Sequence, residues 1–358
     1  MRIRERERDD ELGISKKEVS ITSSISFQTP TKSLKQLDGL PSQFAVNEIS
    51  KRITDKTLAS MEIGTFKRTM RNIKSQFITG KLNLTVFDLR LDSFPSKHIT
   101  RTFAEHLYAS SDTHIFMPTV KTSLLKEGSK YSERRIQAYS QMMNDIMEEI
   151  ESVGNKKVFI GTIPLLPIKF SRSIIKLYHD KGLNAFAIDV GTKDIILNEA
   201  DFRLILSEIN AVMPLSEAFI YACNLGYSLF EKEEARADDF LGIFAYVDTL
   251  GGRFKVRGGP TMVPKPPRAK VFSRERYSYL ISSYPKASRL LGISPLRSTN
   301  LRDYNQREQL REVDKVRNLV GQQEMMAYVQ SKKAVDRLSM KRLLSIARGI
   351  KSRYFQFV

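Results

Sequence analysis

The chain has 358 residues, 41% hydrophobic content and a formal net charge of +18, which predicts a globular protein with a full core and a polyanionic partner. No apolar run approaches the roughly 18 residues of a membrane-spanning helix, and no apolar signal sequence opens the chain, so we expect a cytoplasmic protein without membrane contact. The single cysteine, Cys223, excludes an internal disulfide, and the four histidines lack metal-ligand spacing, so no metal or other cofactor is predicted.

The first part of the chain is poor in recognisable elements. Residues 1–20 begin with the charged run MRIRERERDDELG, which has no apolar anchors and predicts a flexible N-terminus. The segment VSITSSISFQTP, at 19–30, supplies one early strand. Residues 31–80 hold at least one helix, around 44–54, and too little strand signal to place another strand.

From about residue 82, short apolar runs alternate with segments of helical periodicity, which is typical of parallel strands joined by helices. The runs are LNLTVFDLRL, HIFMPTV, KVFIGTIP, NAFAIDV, AFIYACN and DFLGIFAYV. Two architectures fit this rhythm: an open doubly wound sheet and a closed (β/α)8 barrel. Because no glycine-rich phosphate loop follows any of the runs, we predict an α/β fold with a TIM-type (β/α)8 barrel over residues 21–255.

Polar residues at the ends of these runs are the candidate site residues, because functional side chains of a barrel cluster at the carboxyl ends of its strands. Asp88, Asp239 and Asp248 are the candidate catalytic carboxylates, since crowded carboxylates shift each other's pKa values and can divide the acid and nucleophile roles. Each could instead cap the helix that follows. Glycine after a strand, as at 191 and 251, lets backbone approach a ligand. The candidate ligand-binding residues are Asp189, Asn224 and Gly191.

The last third of the chain carries almost all of the net charge, because residues 251–358 contain 24 Lys/Arg and 7 Asp/Glu. We predict a basic, mainly helical extension over 256–358 that binds nucleic-acid phosphates, with a solubilising tail as the alternative. Tyr277, Tyr279 and Tyr284 either stack on bases or pack under the extended segment. The predicted nucleic-acid contacts are Arg253, Lys255, Arg257, Lys265, Arg268, Lys270, Arg274 and Arg276.

Two stretches, RADDFLGIFAYVDTLGGRF and DYNQREQLREVDKVRNLVGQQEMMAYVQSKK, follow one another in the order of barrel and basic extension. They resemble the tRNA-guanine transglycosylase superfamily, including its DNA-modifying relatives that insert 7-deazaguanine bases. In outline the resemblance covers residues 82–335. It matches residues 237–240 to the start of the family's aspartate motif and Tyr304-Asn305 to its His-Asn pair. It implies that a carboxylate attacks the sugar C1′, displaces guanine and admits a 7-deazaguanine to the same pocket.

The chain departs from the family pattern at the positions of the catalytic nucleophile and of the zinc ligands. Leu241 stands where the family has its nucleophilic aspartate, so Asp239 or Asp248 would have to attack. By order along the chain, Asp88 or Asp92 is the nearest candidate for the family's other strand-end aspartate. Asp88 takes the acid–base role, with Asp189 in the base pocket. The residues at the zinc-ligand positions cannot form a tetrahedral set, and they are Ser282, Tyr284, Ala287 and Tyr304.

We therefore predict a base-exchange enzyme that replaces guanine in tRNA or DNA, acting on a base turned out of its stack. The free guanine or 7-deazaguanine is the small-molecule substrate, and a homo- or heterodimer is among the expected assemblies. A non-catalytic nucleic-acid-binding paralogue, or a partner subunit of such an enzyme, is the main alternative. A barrel enzyme for a small phosphorylated metabolite is a third hypothesis, which leaves the basic extension unexplained.

Overall fold

The computed structural model describes residues 1–9, 11–34, 44–60, 64–153, 157–226, 229–231, 233–254 and 268–354. In chain order the strands are β1 (Arg2–Arg8), β2 (Ser15–Ser20), β3 (Ser26–Gln28), β4 (Thr31–Leu34), β5 (Val46–Thr54), β6 (Leu82–Arg90), β7 (His114–Phe116), β8 (Thr119–Val120), β9 (Lys126–Glu127), β10 (Lys130–Tyr131), β11 (Val158–Pro164), β12 (Ala185–Asp189), β13 (Phe219–Cys223), β14 (Leu229–Glu231), β15 (Glu234–Arg236), β16 (Thr249–Leu250), β17 (Arg268–Ser273) and β18 (Ser278–Ser283). The helices are α1 (Asp55–Ala59), α2 (Gly64–Lys74), α3 (Lys97–Ser110), α4 (Glu133–Ser152), α5 (Ile168–Asp180), α6 (Glu199–Val212), α7 (Asp238–Leu241), α8 (Tyr284–Leu291), α9 (Ser298–Leu319), α10 (Met325–Gln330) and α11 (Arg337–Tyr354).

A nine-stranded sheet forms the centre of the molecule, and every neighbouring pair of its strands is parallel. Its order is β7-β11-β12-β13-β16-β4-β5-β6-β8, and it curls into a half-barrel surrounded by helices. Only Met117 and Pro118 separate the two edge strands, β7 and β8, along the chain. The predicted alternation of parallel strands and helices is thus confirmed.

Side chains alternate between the two faces of the sheet, as the pleat of a strand requires. The concave face holds a cluster of apolar residues from the strands: Val46, Leu82, Leu84, Val86, Phe116, Ile160, Ala185, Ala187, Phe219, Tyr221 and Cys223. The convex face packs against the helices. Helix α4, for example, buries Ile136, Met143 and Ile146, and its Tyr139 hydroxyl donates to the Thr162 carbonyl of β11 at 2.8 Å.

The N-terminal residues form an ordered sheet, β1-β2-β3, where the sequence predicted a flexible end. Alternating charges pair across the strands, as in the Arg6–Glu18 ion pair and the Lys16–Glu7 pair at 3.3 Å. The inner face of this sheet adds Val19 and Phe27 to the concave apolar cluster. These contacts place the antiparallel sheet over the amino ends of the parallel strands.

Two segments differ from the predicted elements. Residues 46–54 form β5, where the sequence predicted a helix around 44–54, and its apolar residues Val46, Ile49 and Ile53 have helical spacing. Pairing on both sides, with β4 and with β6, overrides that spacing. The run DFLGIFAYV is α7 followed by a 3-10 turn, Gly242–Phe244, where its continuous apolar character predicted a strand. The early run at 19–30 contributes to β2 and β3, outside the parallel sheet.

A second sheet has four strands, two from before residue 256 and two from the C-terminal part of the chain. Its strand order is β14-β15-β18-β17, so strands from before and after residue 256 pair directly. Tyr277 is fully buried and Tyr279 nearly so, which confirms packing as their role in this sheet. In α9, Leu310, Val313 and Val316 form a buried apolar stripe.

His114 lies at the amino end of β7, where burial lowers the pKa of its imidazole to about 3. Its Nε2 is buried without a hydrogen-bond partner in the described structure. Because the unfolded chain binds this proton near pH 6.5, we expect the free energy of unfolding to be intact above that pH and to fall by up to about 1.4 kcal/mol per unit as the pH drops toward 3.

Urea unfolding at several pH values measures this slope. His114→Gln should flatten the pH dependence of the unfolding free energy between about pH 6.5 and 4. The matched variant His179→Gln removes an exposed histidine at the end of α5 and should leave the slope as in the wild type. Equal slopes in the wild type and in His114→Gln would contradict the buried neutral state.

Candidate functional site

Asp189, Asn224 and Gly191 meet at the carboxyl ends of β12 and β13, as the sequence predicted. One oxygen of Asp189, Oδ1, accepts from the Gly191 amide at 3.0 Å and from Asn224 Nδ2 at 2.9 Å. Asn224 has a left-handed backbone, with φ +57°, a conformation that asparagine tolerates better than most residues. Its Oδ1 also accepts from the Phe254 amide at 3.1 Å. The strand ends and the segment after β16 are therefore fastened together.

Asp88 lies near the carboxyl end of β6 and is almost fully buried. Its carboxylate accepts from Arg90 Nε at 2.6 Å and from the Thr119 hydroxyl of β8 at 3.4 Å. Arg90 Nη2 is also buried, and it has no hydrogen-bond partner in the described part of the chain. The Asp88–Arg90 pair thus has one guanidinium nitrogen without an acceptor among the described residues, at the same end of the sheet as Asp189.

Glu48 of β5 is a site residue that the sequence did not predict. Its Oε2 accepts from the Ser33 hydroxyl at 3.2 Å, from the Gly252 amide at 2.9 Å and from the Tyr221 hydroxyl. Burial and the neighbouring Glu48 raise the pKa of Tyr221 well above its usual value, so Tyr221 remains a donor. Glu48 Oε1 is buried and has no partner among the described residues.

The position of Glu48 along β5 relates it to Asp88. In the β5–β6 register, Glu48 faces Leu84, and Asp88 faces Arg52 four residues further on. Glu48 therefore lies deeper in the sheet than Asp88. Residues around 44–54 were predicted to be helical, and a helix would not place Glu48 in the parallel sheet; the strand conformation of β5 does so.

The two glycines after β16 leave room for protein side chains of this cluster. A Cβ on Gly251 would lie 2.5 Å from the Tyr221 ring, and one on Gly252 would lie 2.5 Å from Glu48 Oε1. Gly251 was predicted to admit a ligand, but Tyr221 occupies that space. Gly191 is different, because its φ of +64° requires glycine and a Cβ there would meet only Thr122 Oγ1, at 3.8 Å.

Asp248 lies at the opposite end of the sheet from Asp88 and Asp189. The residue precedes β16, so it belongs to the amino end, contrary to the prediction that it ends a strand. Its carboxylate accepts from Lys17 Nζ at 2.8 Å, with both side chains only 3% exposed, and from the Ile220 amide at 2.8 Å. This buried ion pair fastens β2 to the parallel sheet.

Asp239 also lies away from the carboxyl ends of the strands, because its run is α7 and packs against the second sheet. Its Oδ2 accepts from the Tyr279 hydroxyl at 2.8 Å, and burial raises the pKa of its carboxyl group. Leu241, at the other end of α7, is fully buried in the main core. The structure therefore does not bring Asp239 and Asp248 together with Asp88.

The predicted nucleic-acid contacts divide into three groups. Arg274 and Arg276 form ion pairs with Glu308 and Glu234, with Nε–O distances of 2.7 Å in each pair. Arg253 is exposed and follows Gly252 directly, and Arg268 and Lys270 lie on β17. Outside the described residues lie Lys255, Arg257 and Lys265.

No family model matches the chain, and no curated protein matches it in sequence. Across the ranges that the structure describes, no helix is both long and apolar enough to cross a membrane. Within the same ranges, no three His, Cys, Asp or Glu side chains are grouped to hold a metal ion. The site is therefore interpreted from its own geometry.

Proposed function

We propose that this protein exchanges guanine in a nucleic acid for a 7-deazaguanine at the carboxyl end of its parallel sheet. The observation that carries the proposal is the buried acceptor Glu48 Oε1, which has no partner among the described residues; the donor Arg90 Nη2 is also buried and unpartnered, six residues further along by the β5–β6 register. Buried polar atoms almost always have partners, so such orphans mark the place of a ligand that offers both donors and acceptors. Guanine, with its N–H groups beside O6 and N7, is such a ligand.

The proposed site needs a closed mouth, and we propose that the curled sheet completes the predicted (β/α)8 barrel. The edge strands β7 and β8 pair with β11 and β6, respectively. Between them, the Met117 amide donates to the Ile160 carbonyl at 3.0 Å, and the Thr162 hydroxyl donates to the Met117 carbonyl. One continuous segment thus contacts both edges of the sheet. Closure would gather Glu48, Asp88 and Asp189 around a single opening.

In the proposed reaction, Glu48 Oε1 attacks C1′ of the flipped nucleotide and forms a C1′–O bond. The C1′–N9 bond breaks, and its electron pair leaves with guanine, which takes up a proton. Oε2 is held by three donors while Oε1 has none, so Oε1 is the oxygen free to attack. Asp88 donates the proton that the leaving guanine takes up and regains one from the entering base in the second step, and Arg90 contacts the base edge. The 7-deazaguanine then displaces Glu48 from C1′.

Asp189 and Asn224 keep their predicted role of holding the base, with Gly191 giving close approach. The contacts described above hold both side chains in fixed positions, which favours recognition of a planar ligand. Asp239 and Asp248 take no part in the proposed reaction. Lys17 pairs with Asp248, and Tyr279 donates to Asp239 Oδ2, while Asp239 Oδ1 is buried without a hydrogen-bond partner among the described residues.

The zinc positions of the resembling family do not fit a metal in this chain. Tyr284, Ala287 and Tyr304 meet in one small apolar cluster with Val271 and Leu301. An apolar cluster thus occupies the place that the resemblance assigns to a metal centre. This substitution is consistent with a divergent member of that superfamily, and no step of the proposed reaction involves zinc.

The basic extension supplies the proposed affinity for the polymer. Arg253 is the first cation after Gly251 and Gly252, and Arg268 is the first residue of β17. A strand captured by these cations would be held beside the carboxyl end of the sheet. Neutralised phosphates release condensed counterions, so this binding must weaken steeply with salt.

A non-catalytic nucleic-acid-binding paralogue, or a partner subunit, is the second candidate function. One observation favours it: β16 is followed directly by Gly251 and Gly252, so the carboxyl end of this strand contributes no carboxylate to the mouth. Such a protein would bind nucleic acid with the same salt dependence but would not exchange bases.

Incubation with guanine-containing RNA or DNA and labelled guanine or 7-deazaguanine separates the two functions. We expect the wild-type protein to incorporate label into the polymer, and its affinity for the oligonucleotide to fall as salt rises. Salt-dependent binding without any incorporation would favour the non-catalytic function. Binding that is insensitive to salt would reject both.

A further inference from the structure

A cavity with a volume of about 360 Å³ lies between β17 and the first half of α9. This size is in the range of small-ligand sites. We call it the α9 pocket, and the residues that carry the argument are Arg268, Lys270, Tyr279, Arg302, Gln306 and Gln309. It lies outside the carboxyl-end cluster described above, since none of Glu48, Asp88 and Asp189 lines it.

The rim of the α9 pocket is cationic. The side chains of Arg268 and Arg302 are exposed, and neither makes an ion pair or hydrogen bond with another described residue. Lys270 adds a third cation that is half-buried, and burial lowers its pKa. Ser298, the first residue of the 22-residue helix α9, also lines the pocket, so the positive end of the helix dipole faces the same space.

The floor of the α9 pocket is polar and rigidly held. Gln309 Nε2 donates to the Tyr279 hydroxyl at 2.9 Å, and that hydroxyl donates to Asp239 at 2.8 Å. Asn305 ties the helix to the strand, because its amide pairs with the Phe272 N–H at 2.8 Å and the Lys270 carbonyl at 2.7 Å. The cations and the helix terminus are thereby fixed relative to each other.

Gln306 provides the observation that points to a ligand. Its Oε1 is buried and has no hydrogen-bond partner in the described structure, although the residue lines the pocket. An unsatisfied acceptor beside cations needs a ligand that carries both a negative charge and an N–H or O–H donor. A nucleotide meets this requirement, with its phosphate for the arginines and a base or sugar donor for Gln306.

We propose that the α9 pocket binds one nucleotide unit of a single-stranded RNA or DNA, with its phosphate between Arg268 and Arg302 and a base or sugar donor on Gln306. The inference rests on the proposed function only in that the same strand would supply the base to the carboxyl-end site. It assigns a defined anchoring position to the basic extension, where the sequence predicted a general phosphate surface.

Fluorescence anisotropy with short labelled RNA and DNA oligonucleotides tests this pocket on the full chain. We expect Arg302→Gln and Arg268→Gln each to weaken binding about 5–10-fold and to reduce the slope of log K against log salt by about one. Gln306→Ala should weaken binding by a smaller factor without changing that slope, since it removes no charge. Melting curves confirm that each variant is folded.

Arg307→Gln is the matched control, because Arg307 is exposed on the same helix but does not line the pocket. It should change affinity less than about twofold. Equal weakening by Arg302→Gln and Arg307→Gln, or no binding of the wild type to either polymer, would overturn the pocket. If the pocket variants lose affinity and the wild-type protein incorporates no label, the α9 pocket is upheld and the exchange function is rejected. If the pocket variants bind normally and the wild-type protein incorporates label, the exchange function is upheld and the α9 pocket is rejected.

Discussion

Lys17→Met is expected to lower the free energy of unfolding by about 3–5 kcal/mol, because it leaves the Asp248 carboxylate buried without its cation. Lys17 Nζ also donates to the carbonyl groups of Leu215 and Ala218, at 2.7 Å each, so the substitution leaves three acceptors without their donor. Urea unfolding measures the loss. The slope of the unfolding free energy against urea should stay unchanged, since the same surface is exposed.

The neighbouring lysine of β2 supplies the control. Lys16 forms an exposed pair with Glu7 at 3.3 Å, so Lys16→Met should change the unfolding free energy by less than about 1 kcal/mol. Asp248→Asn should likewise destabilise the protein while the folded fraction keeps its exchange activity. Similar small losses in both lysine variants would show that the amino-end ion pair does not stabilise the fold.

Glu48→Gln is expected to reduce the rate of labelled-base incorporation by about 10³-fold or more, because an amide cannot attack C1′. The fold should tolerate the change, since the glutamine oxygen can accept from Ser33, Tyr221 and the Gly252 amide as the carboxylate does. Initial rates at saturating oligonucleotide measure the effect, and unchanged oligonucleotide affinity would show that binding is intact.

Glu217→Gln makes the same chemical change at an exposed position and should leave the incorporation rate unaltered. Asp88→Asn should lower the rate by about 10²–10⁴-fold, in line with a group that transfers a proton. A Glu48→Gln protein that keeps more than about a tenth of the wild-type rate would remove Glu48 from the reaction.

Much of the fold could be predicted from the sequence because the strands from residue 82 to residue 223 are apolar runs between amphipathic helices. Such runs are buried on both faces and are easily recognised. Strand β5 could not be predicted in this way, because Glu48, Lys51 and Arg52 interrupt its apolar pattern and its apolar residues have helical spacing. Its strand conformation depends on pairing with β4 and β6, which no local pattern reveals.

A wrong secondary-structure prediction also placed Asp248 at the wrong end of the sheet. The run DFLGIFAYV is apolar throughout, and such a run cannot be distinguished from a buried helix by periodicity. A strand in this run would make Asp248 a strand-end residue, whereas Asp248 precedes the short strand β16. By contrast, Asp189 ends β12 and Asn224 follows β13, and the side chains of the two are joined by a hydrogen bond.

Identification of the carboxylate that bonds to C1′ tests the central claim, that the reacting group lies at the carboxyl end of the sheet. Incubation with a guanine-containing oligonucleotide without an entering base, followed by acid quench and nuclease and trypsin digestion, should leave a sugar adduct on one peptide. We predict the adduct on residues 36–51, at Glu48. An adduct on residues 237–253, which contain Asp239 and Asp248, would contradict the account.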